Sequence, residues 1–174
     1  QGVRCAHLDS PNRRCFALSR RFVLPLSSAL GISRMEIFSA FKNKWVKEKI
    51  NVHPGREEID IIECFEKFGV TPTKDLIALY ETLDGKDEMD EEYFRLWSLK
   101  EIIEENGSER EIERTLKYGV LFGDYLVNCW CYRINKNGEV LIDDFTDGHE
   151  PKLKSGSVVE FFQLMLNDPD EALI

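Results

Sequence analysis

The sequence has little of what most enzymes, membrane proteins and metalloproteins need. Its three histidines, at positions 7, 53 and 149, show neither an HExxH nor an HxxxH pattern, and we expect them to be solvated. No stretch of 18 apolar residues is present, so no membrane-spanning helix is predicted. No glycine-rich phosphate-binding loop follows a predicted strand, and the Walker and dinucleotide-binding patterns are missing. We therefore expect no catalytic residues, no cofactor, no metal ion and no membrane insertion.

Cysteine is too scarce and too irregularly spaced to suggest a disulfide framework. Five cysteines occur, at positions 5, 15, 64, 129 and 131, and no two of them form a CxxC pair. Three of them follow residue 34, and an odd number is typical of reduced cysteines in a cytoplasmic protein. Cys129 and Cys131 flank Trp130 in a predicted strand, where we expect small buried side chains rather than nucleophiles.

Charge is distributed unequally between the two ends of the chain. The net charge is −9, but residues 1–34 hold six arginines, no lysine and one acid, whereas the remainder holds 17 basic and 31 acidic side chains. The division falls at Met35, the first methionine. We expect residues 1–34 to be a basic N-terminal extension outside the fold, such as translated upstream sequence, and residues 35–174 to form one domain. A targeting segment is the alternative, because an arginine pair at positions 20 and 21 precedes an apolar stretch.

The acidity of residues 35–174 indicates which kinds of molecule the domain can bind. A strongly negative surface repels phosphate groups, so no direct binding to nucleic acid is predicted. Clustered carboxylates speed the encounter with a positively charged surface and discriminate against other partners. We therefore expect a basic protein as the partner.

Apolar residues spaced three and four apart predict three helices in the first half of the domain. The first two cover residues 36–50 and 57–68, with Ile59 on the buried face of the second. The third begins after Thr71, the predicted N-cap, and ends at Gly85. An amphipathic pattern of this kind indicates helices that pack on a common core.

The acidic segment, residues 84–92, separates these helices from the rest of the domain. It carries six acids and one lysine and is predicted to be a solvated loop. A strand over residues 94–97 follows. A capping box at Ser98 then opens a helix that ends near residue 106.

From residue 117 the apolar period changes to that of strands. Strands over residues 118–122 and 125–134 are joined by a glycine-led turn at residues 123–124, and both faces of the second strand are mainly apolar, as in a central strand. Another strand covers residues 139–145, and a capping box at Ser157 opens a closing helix. These patterns predict a single α+β domain with N-terminal helices, a central, mostly antiparallel sheet connected as a meander, and a C-terminal helix.

A second acidic group surrounds the end of the last predicted strand. It either holds a divalent ion, acts as paired carboxylates or forms a solvated rim, and a rim is the interpretation we favour. A hydrolase that uses this group with His149 is a minor alternative. The members of the group are Asp143, Asp144, Asp147 and Glu150.

A helix–proline–helix–glycine pattern over residues 57–99 carries a family resemblance. Its residues are 59–63, Phe65-Glu66, Phe68-Gly69, Pro72, Asp75-Leu76, Leu79-Tyr80, Leu83, Gly85 and Leu96-Trp97-Ser98-Leu99 with Glu101-Ile102. Later matches are Phe122-Gly123-Asp124 and Phe161. The pattern resembles the SUKH superfamily, which includes bacterial immunity proteins and the fungal Smi/Knr-type cell-wall regulator. The resemblance spans about residues 36–168. It departs from the family at Thr71, where a leucine is usual, and in the acidity of the loop after Gly85.

The resemblance implies an α+β domain that binds a protein and catalyses no reaction. For bacterial members it implies neutralisation of a cognate polymorphic toxin, such as a nuclease, by direct binding. A regulatory or scaffolding module of the Smi/Knr type is the alternative, and the oligomeric state is left open between a monomer and a weak dimer. Because inhibitors of this family use variable surfaces, the candidate contacts are chosen from the acidic groups and one aromatic anchor. These are Asp84, Asp87, Glu88, Asp90, Glu91, Glu92, Tyr93, Asp143, Asp144 and Asp147.

Overall fold

Seven helices and seven strands occur along residues 33–146 and 149–173, the part of the chain that the computed structural model describes. The helices are α1 (Arg34–Lys47), α2 (Glu58–Glu66), α3 (Lys74–Thr82), α4 (Leu99–Asn106), α5 (Ile112–Tyr118), α6 (Val158–Asn167) and α7 (Pro169–Leu173). The strands are β1 (Val52–Pro54), β2 (Leu83–Lys86), β3 (Phe94–Leu96), β4 (Val120–Tyr125), β5 (Trp130–Ile134), β6 (Val140–Asp143) and β7 (Lys152–Ser155). The predicted α+β class, with helices before and after a sheet, is confirmed.

Five of the strands form an antiparallel meander in the order β3-β4-β5-β6-β7; the meander was predicted, but its last strand was not. Phe94 faces Tyr125, Tyr125 faces Trp130 and Cys131 faces Asp143 across successive strand pairs. Strands β1 and β2 form a separate antiparallel ribbon. The meander therefore places the start of β3, the β4–β5 loop and the end of β6 at one end of the sheet.

The apolar core lies between one face of this sheet and helices α1 and α6. Phe161 of α6 packs against Tyr132 of β5 with ring centroids 4.8 Å apart, and Phe162 packs against Phe41 of α1 at 4.9 Å. Phe94 of β3 contacts both α6 rings. Burial of each such ring stabilises the fold by about 2 kcal/mol, so this aromatic cluster is the main link between the helices and the sheet.

The opposite face of the sheet is ionic, whereas the sequence predicted an apolar surface there. Arg133 of β5 is fully buried and donates to Asp143 Oδ2 at 2.7 Å, to the Gly119 carbonyl at 3.0 Å and to the Glu111 carboxylate. β5 is the central strand, as predicted, but alternation along the strand points Arg133 away from the aromatic core. Two carboxylates and a carbonyl satisfy the guanidinium, which makes its burial tolerable.

The β4–β5 hairpin turns later than the sequence predicts. Gly123 and Asp124, expected in the turn, continue β4, and residues 126–129 make the connection. A β-bulge between Leu121 and Gly123 absorbs the change of register. The Asp124 carboxylate accepts the indole N–H of Trp97 at 2.5 Å, and this contact with the end of β3 holds it in the strand. A Gly-Asp pair is also compatible with a strand when the neighbouring segment supplies partners.

Two boundaries of α3 also differ from prediction. Thr73, not Thr71, is the N-cap, and its hydroxyl accepts the N–H of Leu76 at 3.3 Å. The helix ends at Thr82, and Gly85, expected to end it, lies in β2 with φ of +75°. Pairing with β1 draws the chain into a strand before the glycine is reached.

The two predicted capping boxes are not equally complete. Ser98 Oγ accepts the Glu101 N–H at 3.3 Å while Glu101 Oε2 accepts the Ser98 N–H at 2.9 Å, so the first box is confirmed. Ser157 Oγ accepts the Glu160 N–H at 3.1 Å, but Glu160 Oε2 accepts from Gly156 instead of Ser157. The second site is therefore a serine N-cap with its reciprocal bond displaced by one residue.

The buried face of helix α2 differs from prediction at its N-terminal end, although Phe65 and Phe68 are buried as predicted. Ile61 and Phe65 are fully buried, whereas Ile59, expected in the core, is 60% exposed. Five short elements, β1, β2, α5, β7 and α7, have no counterpart in the sequence-based prediction. Each has three to seven residues, which is too short for a clear apolar period.

Candidate functional site

The acidic segment consists of buried anchors and exposed acids, so the expectation of a solvated loop throughout is wrong. Asp84 and Asp90 are 4% and 6% exposed, and Lys86 is fully buried. We call residues 87–92, between β2 and β3, the acidic loop. Its solvent-facing acids are Asp87, Glu88 and Glu91, with Glu92 half-buried.

Asp90 holds the acidic loop from the inside. Its Oδ1 accepts the backbone N–H groups of Glu92 at 3.2 Å and Phe94 at 2.9 Å. Its Oδ2 accepts the indole N–H of Trp45 at 2.8 Å and lies 2.9 Å from the Lys86 ammonium. These contacts satisfy a carboxylate that is buried in the core. Asp90 is therefore an anchor of the loop and not part of its exposed surface.

Lys86 supplies the positive charge of this anchor. Its Nζ lies 4.0 Å from the centroid of the Trp45 ring and 5.6 Å from that of Phe94. Its contact with Asp90 is an ion pair without hydrogen-bond alignment. Burial lowers the pKa of Lys86 to about 8, and the neighbouring Asp90 opposes this effect. The aromatic faces and the carboxylate replace part of the hydration that the ammonium loses.

Asp84 is a second anchor, on the other side of β2. Its Oδ1 accepts the N–H of Leu99, the first residue of α4, at 2.7 Å, and its Oδ2 accepts from Arg56 Nε at 2.8 Å. A carboxylate at a helix N-terminus satisfies a free N–H group and interacts favourably with the helix dipole. Asp84 therefore joins β2 to α4 and is not available on the surface.

The exposed side of the acidic loop is tied to neighbouring elements. Asp87 accepts from Asn51 Nδ2 at 2.5 Å and pairs with His53 Nε2 at 2.7 Å, and these two hydrogen bonds lower the pKa of Asp87. Glu92 accepts from Lys44 Nζ of α1 at 2.5 Å. His53, expected to be a solvated turn histidine, thus belongs to the support of the loop. The Asp87 and Glu92 carboxylates are therefore held in defined positions.

An open groove of about 550 Å³ runs between α1 and the acidic loop. It leaves one flank of the loop accessible to another molecule. Its lining residues are Ala40, Asn43, Lys44, Lys47, Glu48 and Glu91.

Asp143, at the end of β6, is buried and is not part of a solvated rim. It is 1% exposed and accepts from Arg133 Nε at 2.7 Å and from Arg114 Nη2 at 2.7 and 2.9 Å. Burial by itself raises the pKa of Asp143, but hydrogen bonds from the two arginines and the backbone bring it below its usual value. Asp143 therefore balances the buried arginine of the sheet.

Asp144 and Glu150 of this acidic group lie at the same end of the sheet as the acidic loop. Asp144 is half-buried, Glu150 is exposed, and Asp147 lies outside the described residues. Two strands, β4 and β5, separate β6 from β3, which corresponds to about 14 Å at ordinary strand spacing. The two acidic groups share one end of the domain without direct contact between Asp143 and the loop.

The described residues contain no arrangement of three or more His, Cys, Asp or Glu side chains that could hold a metal ion. His149 Nδ1 lies 3.9 Å from Asp144 Oδ2. Cys64 and Cys131 are buried, and burial raises the pKa of Cys64 to about 12 and that of Cys131 further. Cys129, expected to be buried, is exposed because it lies in the β4–β5 loop and not in the strand.

Comparison with known proteins adds no family assignment: no protein-family model and no curated protein matches the sequence. Among the helices of the described residues, none is both long and apolar enough to cross a membrane. The SUKH resemblance and the function that it implies remain predictions. The functional argument therefore depends on the surface geometry.

Sequence reasoning missed the β4–β5 loop, residues 126–129, which lies beside the acidic loop. The N–H of Leu126 donates to the Tyr93 carbonyl at 3.1 Å. Tyr93 and Val127 are 58% and 77% exposed. The misplaced turn at residues 123–124 concealed this loop, and Asn128 was the only local signal, because asparagine tolerates the left-handed conformation.

Proposed function

We propose that this protein is a non-enzymatic binding module that neutralises a cognate basic protein, as bacterial immunity proteins neutralise their toxins. The observation that carries the proposal is the acidic loop, whose backbone is held by the buried Asp90 and whose Asp87 and Glu92 carboxylates are fixed by neighbouring side chains. A loop that is ordered before binding loses little conformational entropy when a partner docks. The loop therefore has the properties of a prepared docking surface.

The charge of the domain supports the same class of partner. The chain after residue 34 holds 31 acidic and 17 basic side chains, so its field attracts a positively charged protein. A toxin that cleaves nucleic acid must present positive charge to its own substrate. An acidic inhibitor that binds there both meets complementary charge and blocks the substrate. The mechanism is steric and electrostatic and needs no chemistry in this chain.

The resemblance to the SUKH superfamily supports a protein-binding role independently of charge. Its helix–proline–helix–glycine pattern lies in α2, α3 and β2, whose apolar residues belong largely to the core. The acidic loop follows this pattern directly in the chain. We therefore assign binding to the loop and structural support to the segment that carries the resemblance.

A charge-reversal experiment tests the proposal. The chain is co-expressed and co-purified with the product of the adjacent gene, and growth rescue and affinity are measured. Reversing three exposed loop acids to lysine should reduce affinity at least about tenfold at low salt and abolish rescue, because attraction becomes repulsion. The matched control reverses three exposed acids on α2 and α4 and should leave affinity nearly unchanged. The loop substitutions are Asp87→Lys, Glu88→Lys and Glu91→Lys, and the control substitutions are Glu63→Lys, Glu66→Lys and Glu105→Lys.

The outcomes separate the proposed surface from its alternatives. Equal losses in the loop and control variants would mean that net charge alone matters and would contradict the loop assignment. A neighbouring product that neither binds nor needs neutralising would favour the regulatory module of the Smi/Knr type. The buried anchors Asp84 and Asp90 are left unchanged, because their loss would disturb the fold instead of the surface.

A further inference from the structure

Four non-glycine residues with positive φ lie together at the end of the sheet that carries the acidic loop. Leu126, Val127 and Asn128 follow one another in the β4–β5 loop with φ of +50°, +53° and +60°. Tyr93, at the end of the acidic loop, has φ of +62°. The hydrogen bond from the Leu126 N–H to the Tyr93 carbonyl, at 3.1 Å, places the two segments side by side.

Two of these four side chains are large, apolar and exposed. Val127, at 77% exposure, is the most exposed large hydrophobic side chain among the described residues, and Tyr93 is 58% exposed. Leu126 is half-buried beside them. We call Tyr93, Leu126 and Val127 the apolar patch.

These residues do not suit their backbone conformation. The left-handed region is unfavourable for residues with a Cβ atom and most unfavourable for a β-branched residue such as valine. Glycine adopts the same φ without this penalty, and a polar side chain at Val127 would be better solvated. Within the folded monomer the exposed valine side chain therefore brings no evident stabilisation.

Building on the proposed function, we infer that the apolar patch is the centre of the partner interface. The occupant is a basic protein that presents an apolar depression surrounded by lysine or arginine side chains. Charge complementarity identifies it, because the loop that leads directly into Tyr93 carries the exposed acids Asp87, Glu88 and Glu91 and supplies an acidic rim. Interfaces commonly place an aromatic or apolar anchor at the centre of a polar rim.

A second copy of this chain fits the patch less well. In a two-fold dimer the same surface meets itself, so the exposed acids of the acidic loop in each copy would approach those of the other. Like charges at an interface oppose association. The acidic rim thus favours a basic partner over self-association.

The substitution Val127→Gly tests the inference through two opposite effects. Relief of the left-handed valine should raise the melting temperature by about 2 °C. Loss of the apolar anchor should weaken binding to the product of the adjacent gene at least about tenfold. Val127→Thr keeps the shape and the backbone conformation but replaces one methyl group with a hydroxyl, so it should weaken binding without raising the melting temperature.

Two control variants match the two effects. Lys49→Gly, at φ of +64° after α1, should raise the melting temperature in the same way. Ile59→Ala removes another exposed apolar side chain, on α2, and should leave affinity unchanged.

The results distinguish this inference from the proposed function. If Val127→Gly and Val127→Thr bind normally while reversal of the loop acids weakens binding, the apolar patch is not the anchor and the proposed function stands. If the unmodified chain does not bind the adjacent product, the proposed function fails and the inference fails with it. A dimer in sedimentation that Val127→Gly converts to a monomer would replace the basic partner with a second copy.

Discussion

Lys86 supplies the positive charge that pairs with the buried Asp90, although its own burial is unfavourable. Its ammonium is fully buried between Trp45, Phe94 and Asp90, and Lys44 and Glu48 of α1 also act on it electrostatically. Removing such a charge from water is costly, and one carboxylate with two aromatic faces compensates only in part. Its pKa of about 8 reflects this incomplete compensation.

The lowered pKa predicts how stability depends on pH. The pKa of Lys86 is about 8 in the folded protein and 10.5 in its ordinary state, so between these values the unfolded chain binds a proton that the folded chain has released. The contribution of Lys86 to the free energy of unfolding should therefore rise with pH across this window, by about 3 kcal/mol in total. Urea denaturation of the unmodified protein and of Lys86→Met at a series of pH values measures it.

Comparing the stability of the unmodified protein with that of Lys86→Met at each pH separates the effect of Lys86 from the effects of other titrating groups. Burial raises the pKa values of Cys64 and Tyr132, and these groups lower stability as pH rises in both proteins. The stability of the unmodified protein relative to Lys86→Met should increase with pH. A relative stability that stays constant or falls would contradict the assigned pKa.

At the scale of elements, β2 and α4 are joined by very close packing. Asp84 of β2 bonds to the N–H of Leu99 in α4, and Gly85 lies against the segment that leads into that helix. A Cβ added at Gly85 would lie 2.4 Å from the backbone nitrogen of Ser98. Glycine is required here by both φ and space. The acidic loop begins immediately after this junction.

Two glycine-to-alanine substitutions separate these requirements. Gly69 and Gly85 have φ of +74° and +75°, but nothing lies within 4 Å of a Cβ at Gly69. Gly69→Ala should lower the free energy of unfolding by about 1 kcal/mol, from the backbone conformation alone. Gly85→Ala should lower it by about 4 kcal/mol or more, because the backbone must also move. Chemical denaturation measures both, and equal losses would refute the packing argument.

At the scale of the whole molecule, charge is divided between a basic segment and an acidic domain. Within the domain, buried and exposed ionic groups occupy different places. One face of the sheet is aromatic, the other contains the buried Arg133 network, and the exposed acids of the acidic loop lie at one end of the sheet. In the proposed interaction, the net charge of the chain sets the long-range attraction of a basic partner, whereas the acidic loop makes the short-range contacts.

Removing residues 1–32 tests whether the basic segment affects association with a partner without affecting the stability of the domain. The segment carries five arginines and one aspartate, so its removal takes the net charge from −9 to −13. The melting temperature should stay the same, because the capping box of α1 begins at Ser33. Association with a basic partner should become faster at low salt and unchanged at high salt, as stopped-flow measurements would show. A lower melting temperature would place part of the segment in the fold.

Local patterns were sufficient for the class of fold and for several of its parts. The helical period over residues 36–50, the capping box at Ser98 and the succession of strands after residue 117 predicted α1, α4 and the meander. Each of these signals depends on residues within a few positions of one another, so the chain specifies them without knowledge of the tertiary structure. Local sequence also predicted the acidic character of the loop between β2 and β3.

Only the tertiary structure decided which acids belong to the surface. Asp90 is buried through Trp45, Asp84 through Leu99, and Asp143 through Arg114 and Arg133. Composition does not distinguish Asp84 and Asp90 from the exposed acids beside them in the acidic segment. The groups that compensate for the burial of their carboxylates come from distant parts of the sequence. The same holds for the apolar patch, which exists because the bulged β4 moves its turn next to Tyr93. The sequence alone determined the α+β architecture and the acidity, and the packing of distant segments determined which residues are presented to a partner.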